Sequence, residues 1–259
     1  MKKWVQEMTW EEVDKAREES RGVALVPVGS TEQHGRHLVT GCDSFCAIAV
    51  AEAVAERTGA VIAPPLWFGW SPHHMWLPGT ITLRPDVLKE VVVDIGRSLI
   101  HHGFEKIVII NGHRYANLPP LQLAAWTLID QTKADVRLVD IMLMGDTAAR
   151  ELNLDQIGHG DEAETSHMLH IHPEFVRMDK ATRSLPPRVR FRIEDVRVPG
   201  DRAVWTPNRS PTGEEKETRK KISGGISGDP TKATRQKGEK LHNTIVMNII
   251  ELIQDMKGK

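Results

Sequence analysis

Over the first 140 residues, short apolar runs alternate with stretches of helical spacing. Gly22–Ser30 (GVALVPVGS) is an unbroken apolar run ending in Gly-Ser, which predicts a strand buried on both faces. Asp43–Arg57 follows with Ile48, Val50, Ala51, Val54 and Ala55 at helical intervals. Ala60–Pro64 predicts a second buried strand, ended by its own proline and the next. Asp86–His102 is the clearest helix, with Val87, Leu88, Val91, Val92, Ile95 and Leu99 on one stripe. Pro85 stands at its start and Gly103 is placed to cap its end. Lys106–Ile110 predicts a strand, Leu121–Lys133 a helix and Val136–Val139 another strand.

This alternation predicts an α/β fold in which helices cover both faces of a mostly parallel sheet. In such sheets ligands bind at the carboxyl ends of the strands. Later in the chain, acidic residues at 161–164 mark a helix start. Leu185–Arg219 is rich in Arg, Pro and charge, with a β-excursion expected over Val189–Val198. Arg188, Arg190 and Arg192 alternate there as one polar strand face would. Ser227-Gly228-Asp229-Pro230 predicts a helix cap with proline at the first helical position. The final helix, residues 230–256, puts Leu241, Ile245, Ile249 and Leu252 on one face.

Composition changes this picture little. The 259 residues suit one α/β domain spanning 1–259, with 40% hydrophobic and 27% charged positions and a net charge of −1. Nothing in that balance argues for nucleic acid or a membrane. The first twenty residues lack the apolar run of a signal peptide, so a cytoplasmic location is expected. Two cysteines, Cys42 and Cys46, exclude a disulfide framework and read as buried thiols. Twelve histidines in clusters direct attention to metals and acid–base chemistry.

Candidate chemistry gathers just past the predicted strands. Glu32 and His34 lie two apart in Ser30-Thr31-Glu32-Gln33-His34-Gly35, so both side chains point the same way in an extended segment. Asp43 follows at a helix start, where taken alone it reads as an N-cap. His113 closes Asn111-Gly112-His113; singly, it reads as a loop residue. In His159-Gly160-Asp161-Glu162-Ala163-Glu164, interaction with the helix dipole accounts for Asp161 and Glu162 but is silent about His159. Jointly, mixed imidazole and carboxylate donors suit zinc or manganese. A carboxylate-bridged pair of divalent ions fits such a set, and two ions together polarise a carbonyl and activate water.

These motifs, with Pro78-Gly79-Thr80, Thr165-Ser166 and Gly228-Asp229-Pro230, resemble the creatininase (creatinine amidohydrolase) family over residues 8 to 255. The resemblance implies a three-layer α/β/α sandwich and two divalent ions, Zn and/or Mn. It implies Glu32, His34, Asp43, His113 and Glu164 as ligands, with Asp43 bridging, and His159 as acid–base partner beside the substrate. It also implies a homo-oligomer, commonly a hexamer, acting on small amides such as cyclic amides and formamides. Two departures stand out. Where creatininase has a catalytic Glu two residues past the N-G-H histidine, this chain has Tyr115, preceded by Arg114. Where creatininase places tryptophans over its substrate, the matching residues here are Ile141 and Asp155. The chain is therefore expected to differ from creatininase in substrate.

His73, His74, Arg114 and Tyr115 are the candidate substrate contacts. For each, the alternative is a solvated loop, a surface ion pair or packing. Trp67, Trp70 and Trp76 read as core or interface. Two other functions stand beside amide hydrolysis. One is C–C cleavage in a cyclic diketone such as a 3-dehydro-inosose; the other is a non-catalytic metal- or ligand-binding role.

Overall fold

The computed structural model describes residues 3–114, 116–154, 158–184 and 213–258. Its centre is a four-stranded parallel sheet of β1 (Val23–Val28), β2 (Val61–Ile62), β3 (Lys106–Asn111) and β4 (Asp135–Asp140), in the order β2-β1-β3-β4. The second strand is shorter than its apolar run suggested, because its backbone pairs with β1 only at Ala24–Val61 and Leu25–Ile62. The helices are α1 (Trp10–Glu19), α2 (Cys42–Thr58), α3 (Pro85–His101), α4 (Leu118–Gln131), α5 (Ile141–Met144), α6 (Asp146–Glu151), α7 (Glu162–Ile171), α8 (Gly213–Ile222) and α9 (Arg235–Gly258).

The alternation of side chains along each strand divides the core in two. Val23 and Leu25 of β1 and Val108 and Ile110 of β3 face one layer, where Val50 and Val54 of α2 meet Leu241, Ile245 and Ile249 of α9. Ala24, Val26, Ile107 and Ile109 face the other layer, formed by Leu88 and Val92 of α3 and Leu121 and Leu128 of α4. The architecture is the three-layer α/β/α sandwich. Each fully buried aliphatic side chain contributes roughly 1.5–3 kcal/mol, so Leu25, unexposed between two layers, is a costly place to truncate.

The final helix begins later than the sequence predicted. Pro230–Lys232 forms an isolated 3-10 turn, and α9 starts only at Arg235, where the Thr234 hydroxyl accepts from Lys237 N. Leu252 is only partly buried; Ile253 takes the core position. The first helix follows a capping box in which Thr9 and Glu12 satisfy each other's backbone N–H. The expected β-excursion over 189–198 and the arginines at 188, 190 and 192 lie outside the described residues.

After β1 the chain crosses to α2 in one layer; after β3 it crosses to α4 in the other. Two neighbouring strands whose connections part in this way open a crevice at their carboxyl ends. The segments at 29–34 and 111–113 meet there.

Candidate metal centre

Close backbone approaches make the crevice narrow. A Cβ on Gly112 would stand 2.1 Å from the Asp43 carbonyl oxygen, and one on Gly29 2.4 Å from Ser44 Cα. Only glycine allows the strand ends to press on the first turn of α2. Asn111 shapes the turn after β3: its carbonyl accepts from His113 N at 3.1 Å, and its amide donates to His113 O at 2.8 Å and to Asp140 at 3.1 Å.

Asp43 is not the helix cap that its position suggested. Gly41 holds that place with no side-chain cap, and Asp43, in the first turn, points into the crevice. Its two oxygens face different imidazoles: Oδ1 lies 3.2 Å from His34 Nε2, and Oδ2 3.1 Å from His113 Nδ1. Glu32 Oε2 is 3.3 Å from His113 Nε2, and Glu164 Oε2 3.6 Å from His34 Nε2. His159 Nδ1 and His74 Nε2 each lie 3.5 Å from Glu32 Oε1. The structure thus brings Glu32, His34, Asp43, His113, His159 and Glu164 together, with His74 against them. His73 stacks beside His113, ring centroids 6.1 Å apart. Asp161, by contrast, is a plain N-cap, accepting from Ala163 N and Glu164 N, and Glu162 pairs with Lys237.

Three groups missed by the sequence reasoning support this cluster. Ser30 and Ser71 hydroxyls bond at 2.6 Å, and Ser71 reaches His113 Nε2 at 3.3 Å. Gln33 donates to Gly225 O at 2.7 Å and lies 3.0 Å from both His74 Nδ1 and His159 Nε2. Its place between Glu32 and His34 was a usable signal; nothing in the sequence marked Ser71. Of the remaining candidates, Arg114 acts electrostatically on Asp140, Ile141 is buried in the core, and Tyr115 and Asp155 lie outside the described residues. Trp76 is buried, and Trp67 packs edge-on against Phe45.

The electrostatics are those of a site built around positive charge. Burial lifts Glu32 to about 7 despite His113, and lifts Glu164 to about 7 despite His34. Burial opposes charge on His113, yet Glu32 and Asp43 push it up to about 9. Against the same burial, Asp43 and Glu164 raise His34 well above its ordinary value, and His34 and His113 hold Asp43 below the usual carboxylate range. Burial, then His34, depresses His159; burial, then His159, depresses His74.

The donor set fits divalent ions. Glu32 Oε1, His34 Nε2 and Asp43 Oδ2 are buried without a hydrogen-bond partner, which is costly unless something else meets them. His34 Nδ1 faces the Glu32 carbonyl at 3.1 Å, which leaves Nε2 as the free ligand atom. Glu32, Asp43 and His113 offer atoms within 4.8 Å of one another, as do Glu32, His34 and His159. All are nitrogen and oxygen donors, suited to zinc or manganese.

A parallel three-layer sheet with this buried acid–imidazole cluster at its switch point defines a metal-dependent hydrolase class. The family model for creatinine amidohydrolase matches residues 6–253, and the chain belongs to that creatininase family. It is 28% identical to creatinine amidohydrolase from Pseudomonas putida, over 97% of this chain and 96% of that one. It is 29% identical to 3-dehydro-scyllo-inosose hydrolase from Thermotoga maritima, over 71% of this chain and 60% of that relative's length. It is 32% identical to the mycofactocin precursor peptide peptidase of Mycolicibacterium smegmatis, over 90% and 84%. Among solved structures, a manganese creatininase superposes with a TM-score of 0.79 at 27% identity, covering 99% of both chains. A mutant creatininase of Zn–Zn type gives 0.77 at 27%, covering 99% and 98%. These levels mark a family member, not creatininase itself, and the enzyme is a metal-dependent hydrolase. No helix among the described residues is long and apolar enough to cross a membrane.

Proposed function

We propose that the enzyme is an amidohydrolase that cleaves a non-peptide C–N bond, in a cyclic amide or a formamide, at a centre of two divalent ions. Glu32 and His113 would hold one ion, His34 and Glu164 the other, and Asp43 would bridge them. The observation that carries this is the split of Asp43, whose two oxygens face two different histidines at 3.2 and 3.1 Å. When bound, such ions polarise a carbonyl and lower the pKa of water.

The chain's own residues supply orientation and proton transfer. His159 Nε2 donates to the Gln33 carbonyl, so the lone pair of Nδ1 faces the centre. Burial, then His34, lowers the His159 pKa, which suits a group that acts first as a base. His159 takes a proton from the attacking water at Nδ1 and returns it to the leaving nitrogen. His74, stacked on His159 at 3.8 Å, fixes the plane of that ring. His73, His74 and Arg114 would contact the substrate, as would Tyr115, which lies outside the described residues. Arg114 is the candidate contact for a polar or anionic edge of the substrate.

A second reading is C–C cleavage of a cyclic diketone. The likeness to the inosose hydrolase favours it, as does Tyr115 standing where creatininase has a glutamate. The test is turnover of the metal-loaded enzyme on a panel of cyclic amides, formamides, ketonised inositols and a short peptide. Amide or formamide turnover with no inosose turnover supports the proposal; inosose turnover alone replaces it with the second reading. A homo-oligomer, hexameric as in the family, is part of the same proposal.

A further inference from the structure

The first turn of α2 carries a donor that the five-ligand set leaves out. Cys42 stands next to Asp43 and is fully buried. Its sulfur, a nitrogen of His34 and a carboxylate oxygen of Asp43 all lie within 4.8 Å of one another. One of these partners is itself orphaned: His34 Nε2 has no hydrogen-bond partner, and its side chain is 0% exposed. Cys46, one turn further along α2, joins no such group among the described residues. The two thiols, alike in sequence, are therefore different in placement.

We propose that Cys42 is a further ligand of the ion held by His34, Asp43 and Glu164. The inference rests on the dinuclear reading above. Zinc binds sulfur at about 2.3 Å and imidazole at about 2.0–2.1 Å, so the observed spread closes onto one ion with shifts on the order of 1 Å. As the sulfur–metal bond forms, the S–H bond breaks and its proton leaves to solvent. The Cys46 thiol, burial, Glu164 and Asp43 keep the Cys42 thiol protonated until then. The other half of the centre, Glu32, His113 and Asp43, offers only nitrogen and oxygen.

The test is cobalt(II) titration of the chelator-stripped, full-length protein, followed by absorption. The expected result is a near-ultraviolet thiolate-to-cobalt charge-transfer band, kept in Cys46→Ser and absent in Cys42→Ser, with the visible bands of bound cobalt present in all three. Visible bands without charge transfer in the wild type would overturn the role of Cys42 and leave the dinuclear reading standing. No cobalt bands at all would overturn both. The wild-type spectrum decides even if Cys42→Ser folds poorly; Cys42→Ala then serves for assignment.

Discussion

Among the described residues, two pairs of buried histidines behave oppositely: His34 with His113 in the crevice, and His167 with His242 between α7 and α9. In the crevice, His34 and His113 lie against Asp43, Glu32 and Glu164. These acids raise His34 well above its ordinary value and take His113 to about 9, although burial opposes both shifts. Between α7 and α9, His167 and His242 face each other, Nε2 to Nδ1 at 2.9 Å, with the His170 ring 5.2 Å from that of His242. Burial, unrelieved, takes His242 down to about 4 and His167 well below its ordinary value. Glu239 and Arg235 act on His170 from α9, in opposite directions. One cluster is arranged for a cation; the other is neutral packing. A count of histidines does not separate them, but the placement of carboxylates does.

The largest expected effect lies in the crevice. His113→Ala or Glu164→Ala should each release metal and drop turnover by several orders of magnitude, to background. His242→Ala, the same truncation in the other cluster, should leave metal content and turnover intact. Metal analysis beside an assay separates the two. Retention of metal by both crevice variants would break the comparison.

Next comes His159→Ala, expected to keep its metal and lose roughly 10²–10⁴-fold in turnover, as removal of a general acid–base group does. Full turnover with full metal would remove that role. Chelation should lower the thermal midpoint through linkage, by the equivalent of about 2.7 kcal/mol when free metal had stood at 100 times its Kd. An unshifted midpoint on stripping would mean that the carboxylates of the crevice hold nothing in the folded state.

A smaller effect belongs to the distal cluster. His242 has a folded pKa of about 4 against an ordinary 6.5. Its contribution to stability is complete above pH 6.5 and is lost as pH falls toward 4. The share of the acid loss that belongs to His242, on the order of 2–3 kcal/mol over that window, is the difference between denaturant melts of the wild type and of His242→Phe at stepped pH. His242→Phe should flatten the slope, at a cost of about 1–3 kcal/mol because His167 Nε2 loses its partner. A slope unchanged by the substitution would assign the acid sensitivity elsewhere.

Much of this was legible in the sequence. β1, β3 and β4 and helices α2, α3 and α4 follow from apolar runs and helical spacing. Glu32 and His34 could be placed on one side of an extended segment because alternate residues share a direction. Asp43 was ambiguous: an acid at a helix start fits a cap as well as a ligand. The decision depends on Gly41 taking the cap position, a fact of backbone geometry. Gly112 pressing on the Asp43 carbonyl, and Ser71 reaching His113 from 42 residues away, depend on tertiary approach and leave no local trace. The start of α9 was misplaced because Asp229-Pro230 satisfies the helix-start rule locally, yet the turn it opens ends at Lys232 and Thr234 caps afresh.

The central claim is a two-ion centre bridged by Asp43, and elemental analysis of the purified protein, prepared without chelator, tests it most directly. The account predicts about two equivalents of zinc and manganese combined per chain, with metal lost in Asp43→Ala. No metal in the wild-type protein, or an undiminished content in Asp43→Ala, would contradict it.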